Sequence, residues 1–200
     1  MAGLELKYFN GPLHNIYLVG EVSEEMYANL TKKIDEIRED DEAVIINNFS
    51  VLQSVGIDVT IGRPKIDVYI TTYGGNVYDM FAIYDALKKL QKDYVVNIYA
   101  QGKVISAGTV IFLAVDKKHR FAGENTTFMF HDLSGGAFGK VKELEENAEE
   151  GKRLHSMIWQ IFKDNTKMPE KLLTEMYENK KDIYLNARQA KKFGIIEEIV

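Results

Sequence analysis

Between Tyr94 and His131 the chain places two apolar, strand-like runs around a cluster of small residues, and few folds accommodate that order. The first run, Val95-Val-Asn-Ile-Tyr-Ala100, reads as a buried strand closed by a turn at Gln101–Gly102–Lys103. Ala107 and Gly108 follow Ser106 and let backbone approach backbone, and the apolar stretch from Thr109 to Ala114 suffices for a short buried helix. Ser106 therefore stands at a strand–turn–helix junction. Its hydroxyl lies at a helix N-terminus, where unpaired N–H groups and the helix dipole favour developing negative charge. After a turn-rich segment, Thr127-Phe-Met-Phe130 reads as a second strand ending in His131, and Asp132-Leu-Ser-Gly-Gly136 breaks it. A serine at one strand's end and a histidine at another's can meet at the same edge of a parallel sheet. Alone, such a serine is more often an N-cap than a nucleophile, so the remainder of the chain has to decide.

That remainder alternates strand and helix. Asn15–Val19 reads as a strand, and Ser23 caps a helix with an apolar stripe at Met26, Tyr27, Leu30, Ile34 and Ile37, ending in the charged run Arg38–Glu42. Residues Ala43 to Pro64 carry two short strand-like runs, Val44–Ile46 and Ile57–Ile61, and suggest an inserted hairpin. Ile66–Ile70 is the next strand; it runs through Thr71-Thr-Tyr-Gly-Gly75 into a helix over Val77–Leu90. A Gly-Gly pair there exposes backbone N–H groups suited to an oxyanion hole or a phosphate cradle, or is a plain turn. Leu133 to Phe138 is glycine-rich and reads as mobile or ligand-facing. Lys140–Lys163 reads as one long helix, polar at first and apolar later, which either reaches another subunit or packs on its own sheet. Pro169 opens a helix through Tyr177, Lys180–Leu185 is a short strand, Asn186 caps a helix to Phe193, and Ile195–Val200 is a last strand. Alternation of this kind predicts an α/β fold with a mainly parallel sheet and covering helices.

Composition narrows the chemistry. Two hundred residues suit one domain, spanning 1–200. A net charge of −5 argues against nucleic acid and anionic membrane as main partners, and the absence of cysteine removes disulfides and thiolate chemistry. Four scattered histidines lack ligand spacing, so no metal is expected, and no dinucleotide or Walker fingerprint points to a cofactor. With no signal peptide and no long apolar segment, the expectation is a soluble, cytoplasmic protein.

Four blocks, in order, resemble the Clp-type serine peptidases, the proteolytic subunits of the ATP-dependent Clp protease. Tyr69-Ile-Thr-Thr-Tyr-Gly-Gly75 is similar to that family's oxyanion loop, and Gly102-Lys-Val-Ile-Ser-Ala-Gly108 to its nucleophile block. Phe128-Met-Phe-His-Asp-Leu-Ser-Gly-Gly136 resembles its histidine block and Asp182-Ile-Tyr-Leu-Asn-Ala187 the segment of its catalytic aspartate. The serine-to-histidine interval of 25 residues fits as well. The resemblance implies a Clp protease/crotonase-like fold with Ser106 as nucleophile, His131 as general base and Asp182 as the orienting acid. It implies Gly75 and Ala107 as oxyanion donors, Gly74 being one position away from the same role. A serine hydroxyl needs such a base, and a carboxylate fixes the imidazole tautomer; Asp132, adjacent to His131, is the alternative third member.

The resemblance further implies a homo-oligomer of stacked heptameric rings, joined by a long protruding helix over 140–163, that hydrolyses unfolded polypeptide. It leaves open whether a ring ATPase docks. Tyr69 matches an aromatic of the family's docking groove, but Asp67 replaces another and would present a carboxylate to be desolvated. The lead-in to the first strand is shorter than usual, and no C-terminal extension follows Val200. Two other readings compete: an acyl-CoA hydratase or isomerase, whose superfamily shares the fold but needs a carboxylate at the centre, and an inactive structural or adaptor subunit.

Overall fold

Alternate burial along three long strands sets the architecture. In one of them Ile66, Val68, Ile70 and Thr72 turn to the core while Tyr69, Thr71 and Tyr73 turn away, the period-two pattern of a pleated strand. The computed structural model describes residues 6–9, 13–54, 59–61, 63–133, 140–179 and 181–200. In chain order the strands are β1 (Leu6–Phe9), β2 (Leu13–Val22), β3 (Val59–Ile61), β4 (Lys65–Gly75), β5 (Val95–Ile105), β6 (Arg120–Ala122), β7 (Thr127–Phe130), β8 (Ile183–Asn186) and β9 (Glu198–Ile199). The helices are α1 (Glu24–Ser54), α2 (Val77–Leu90), α3 (Ala107–Phe112), α4 (Val141–Asn165), α5 (Glu170–Glu178) and α6 (Ala187–Lys192). The main sheet runs β2-β4-β5-β6-β9, with β7 against β5 and β8 on β7. Every pairing in it is parallel except β7–β8.

One face is covered by helices. Ile16, Leu18, Ile66, Val68, Ile70, Val96 and Ile98 pack beneath Leu30, Ile34 and Ile37 of α1, Ile83 and Leu87 of α2, and all of α3. The other face carries an aromatic ladder in direct register, with Tyr17, Tyr69, Tyr99 and Phe121 stacked at 5.4, 5.1 and 5.0 Å between ring centroids. Asp67 lies on this face but presents no unpaired carboxylate, contrary to expectation. It is buried and accepts a bond from Asn97 Nδ2 at 2.8 Å, and Asn97 Oδ1 is 2.9 Å from His119 Nδ1.

Two further expectations need correction. The inserted hairpin over 43–64 is not formed: α1 continues through Val44–Ile46 to Ser54, and Val59–Ile61 pairs in parallel with β1. No glycine or proline interrupts Glu24–Ser54, and the charged run is held by tertiary partners. His14 Nε2 lies 2.8 Å from Asp41 Oδ1, and Arg38 reaches Asp93. The turn at Gln101–Gly102–Lys103 is likewise absent. The strand passes through it as β5, bent where Gly102 takes φ +67, and changes partner from β6 to β7 at that point. Beyond Leu133 the glycine-rich segment to Phe138 falls outside the described residues.

A buried arginine locks the end of the sheet nearest α4. Arg120 donates to Val115 O (2.5 Å), Asn165 O (2.9 Å), Ile195 O (3.3 Å) and Leu113 O (3.4 Å). Burial pulls its guanidinium down to about 10, still charged at neutral pH. No helix among the described residues is long and apolar enough to cross a membrane.

Candidate active site

The parallel register of β5 on β7 delivers two side chains to one point. Val104 pairs with Phe128 and Ile105 with Met129, so Ser106 leaves β5 beside Phe130 and His131 follows one residue later. The Ser106 N–H donates to Met129 O at 2.9 Å, fixing the junction. Ser106 has φ +55 and ψ −124, the only positive φ among the described non-glycine residues. Such a conformation costs about 1–3 kcal/mol and persists only where the surroundings enforce it. It makes the strand-to-helix turn sharp, and Ser106 Oγ stands 2.6 Å from His131 Nε2. That is hydrogen-bond reach for a hydroxyl and the base that would deprotonate it.

The Gly-Gly pair flanks the serine. Gly74 has φ +101, and a Cβ placed there would stand 2.7 Å from Ser106 Cβ, so only glycine permits this approach. Its N–H is already spent on Thr72 Oγ1 at 2.9 Å, and that hydroxyl donates to Gly20 O at 2.5 Å. The bond to Val22 O is made by the N–H of Asn76, at 2.8 Å, rather than by that of Gly75. Ala107 is the first residue of α3, so its N–H has no intrahelical acceptor. Asn76 then caps α2, accepting from the N–H groups of Tyr78 (2.8 Å) and Asp79 (3.2 Å), which sets the helix directly behind the glycine loop.

Both groups open into a cavity of about 600 Å3 bounded by Gly75, Ser106, His131 and the inner side of α4. Its depth is apolar, lined by Met80, Val110, Phe130, Leu154, Ile158 and Phe162. At the rim Tyr78 donates to Glu150 Oε1 at 3.1 Å, bridging α2 to α4. Arg153 holds the same carboxylate with two bonds of 2.7 Å. The Arg153 guanidinium and the Tyr78 hydroxyl both hold Glu150 below the usual carboxylate range. Nothing in the sequence singled out Tyr78, Glu150 or Thr72. Thr72, two residues before a glycine, is the one a side chain-to-backbone turn signal could have flagged.

The two carboxylates considered as third member stand differently. Antiparallel pairing of Phe130 with Ile183 places Asp182 one position beyond the last rung, across from His131. Asp182 is exposed, and no hydrogen bond joins it to His131 among the described residues. Asp132 is turned elsewhere, accepting from the Leu133 N–H and lying 3.3 Å from His155 Nδ1. Along α4, Ile158 is packed within its own subunit while Met157 is 40% exposed, so only the latter faces outward. The first two turns of α4 are exposed throughout, including Val141 and Leu144. No cluster of three His, Asp or Glu suited to a metal ion occurs among the described residues.

Comparison with known proteins gives the family. The family model described as Clp protease matches residues 20–200. Over 183 residues the chain is 31% identical to the ATP-dependent Clp protease proteolytic subunit of Deinococcus radiodurans, covering 90% of this chain and 87% of that protein. It is 30% identical over 151 residues to the ATP-dependent Clp protease proteolytic subunit 2 of Pseudomonas aeruginosa, covering 75% and 73% respectively. Among solved structures, a point mutant of ClpP1 from Listeria monocytogenes matches with a TM-score of 0.71 at 25% identity, over 94% of this chain and 91% of that one.

Proposed function

The chain belongs to the Clp protease family and is a serine-type endopeptidase; from that premise we propose that Ser106 is its nucleophile, His131 its general base and Asp182 its orienting acid. The observation carrying this reading is the 2.6 Å contact between Ser106 Oγ and His131 Nε2 on a strained junction. Ser106 Oγ attacks the peptide carbonyl while His131 Nε2 takes its proton. The carbonyl oxygen, now negative, is met by the N–H groups of Gly75 and Ala107, and removing one such donor typically costs about 3–4 kcal/mol of transition-state stabilisation. His131 returns the proton to the leaving amine, and water then hydrolyses the acyl-serine by the same relay in reverse. Asp182 steadies the imidazole through Nδ1. Because it lies one position past the β7–β8 ladder, a local shift of 181–182 brings it into reach. An acyl-CoA hydratase or isomerase would require a carboxylate where Ser106 stands.

Exposed apolar residues of α4 support an assembly. The solvent-facing start of α4, with Val141 and Leu144 uncovered, and Met157 further along the helix join two heptameric rings of this single-domain subunit into a barrel that encloses the cavity. Unfolded polypeptide in the cytoplasm is the substrate, and the apolar depth accepts its side chains. The aromatic ladder is the face for a ring ATPase. With Asp67 already paired to Asn97, docking there does not strand a carboxylate, and stacked rings at an interface supply rigid apolar anchoring.

A fluorophosphonate probe tests the core of the proposal. It should label the intact protein at Ser106 alone, and Ser106→Ala should abolish both labelling and hydrolysis of a short peptide while leaving the fold unchanged. Peptide turnover that survives in Ser106→Ala would show that another group is the nucleophile.

A further inference from the structure

Outside the groups assigned so far, one polar pair touches both the reacting histidine's loop and the long helix. Asp132 follows His131 directly and lines the cavity. Its Oδ1 accepts the Leu133 N–H at 2.8 Å and lies 3.3 Å from His155 Nδ1. Both side chains are largely withdrawn from water, 22% exposed for Asp132 and 12% for His155. His155 projects from α4 between Leu154 and Ile158, the buried residues that fasten this helix to the core, with its ring 6.0 Å from that of Trp159.

The position matters because of where β7 ends. Its last paired residue is Phe130, so the ladder stops before His131. A hydrogen bond of 2.6 Å between Ser106 and His131 leaves little tolerance, yet the ladder does not hold the imidazole's own backbone. The next fixed point along the chain is Asp132, and it is fixed to α4. An ionised carboxylate only accepts, so a bond across this contact takes its proton from Nδ1–H of His155. Burial holds His155 below its ordinary value, with Asp132 pulling the other way.

We propose that Asp132 and His155 are a positioning pair that pins the peptide after His131 to α4 and thereby sets the imidazole against Ser106. The inference rests on the reading of Ser106 and His131 as nucleophile and base. It adds that the seating of α4 is felt at the reacting hydroxyl through two named side chains. Neither residue carries the transferred proton; their effect passes through His131.

The test reads activation of the nucleophile separately from binding and assembly. His155→Leu keeps the apolar bulk and removes the donor, and Asp132→Ala removes the acceptor without altering the α4 face. Each should slow fluorophosphonate labelling of Ser106 and lower kcat on a short peptide by about tenfold or more, since a misplacement of ~1 Å can cost a hundredfold. KM should stay within about twofold of wild type, the signature of an effect on chemistry rather than on binding, and sedimentation should not change. His155→Asn, whose side-chain amide donates from near the Nδ1 position, should recover most of the labelling rate. Wild-type labelling rates in His155→Leu would overturn the proposal. So would a His155→Asn protein as slow as His155→Leu, which would mean packing alone, or losses that track altered sedimentation. If His155→Leu does not fold, Asp132→Ala decides by the same readout. A wild-type protein that is not labelled at Ser106 would instead sink the nucleophile assignment, a distinguishable failure.

Discussion

Replacing Gly74 with alanine should disable the site without removing any group that reacts. The added Cβ would stand 2.7 Å from Ser106 Cβ and 3.0 Å from Ile105 O. Apolar carbons rest at about 3.5–4.0 Å, so the serine must retreat by roughly 0.8 Å or more. A shift of that order costs about a hundredfold in rate when it falls on the attacking atom. Stability should fall too, by roughly 2–6 kcal/mol, from overpacking added to a strained positive φ. Gly20→Ala separates the two contributions. Gly20 has a similar φ of +104, but a Cβ there meets nothing within 4 Å. It should lose only the backbone part, about 1–3 kcal/mol, and keep its turnover. The assays are thermal unfolding and hydrolysis of a short fluorogenic peptide, with the labelling rate at Ser106 as a direct readout of the nucleophile. Wild-type kcat in Gly74→Ala would refute the argument that this glycine sets the serine's place. An equal loss of kcat in Gly20→Ala would show that strain, not contact, is responsible.

Asp182→Asn should leave folding within about 0.5 kcal/mol, because the side chain is exposed. Hydrolysis should drop by about four orders of magnitude, the loss that follows when the imidazole tautomer is no longer fixed; near-normal activity would remove Asp182 from the triad. Met157→Glu places charge on the outward side of α4, away from the subunit core, and, on the assembly proposed above, should leave single rings in place of a double ring by sedimentation. An unchanged profile would mean that this side of the helix is not an interface. Arg120→Met strips the donors from several buried carbonyls at about 1–3 kcal/mol apiece, so unfolding should ease by at least ~3 kcal/mol in a denaturant titration. A smaller loss would mean that water replaces the guanidinium.

Where the chain's local and tertiary signals agree, the residues alone were informative. Val77–Leu90 has Asn76 before it and lysines in its last turn, and Thr127–Phe130 is short, apolar and bounded by breakers; both form with those bounds. Ser106 and His131 were legible as a pair because strand ends converge at one edge of a parallel sheet. The misreadings share a cause. β-branched residues at Val44–Ile46 look like a strand, but an unbroken helix already under way carries them along, and Asp41 gains a partner from β2 that no local window contains. Gln101–Gly102–Lys103 looks like a turn because glycine usually marks one; here the glycine bends a strand that continues. The spending of the Gly74 N–H on Thr72 depends on three-dimensional proximity, as does the engagement of Asp132 by a histidine 23 positions away. Neither leaves a trace in spacing.

The order in which the sheet is closed bears on how the protein is made. The central strands and both reacting side chains lie upstream of Asp132, but β7 is bordered by β8 and β6 by β9, both drawn from residues 183–200. A nascent chain that has not yet supplied them carries serine and histidine on a sheet with two raw edges, each a template for pairing with another chain. A chain truncated before Ile183 should therefore aggregate rather than persist as a crippled peptidase, an outcome that light scattering of that truncation checks.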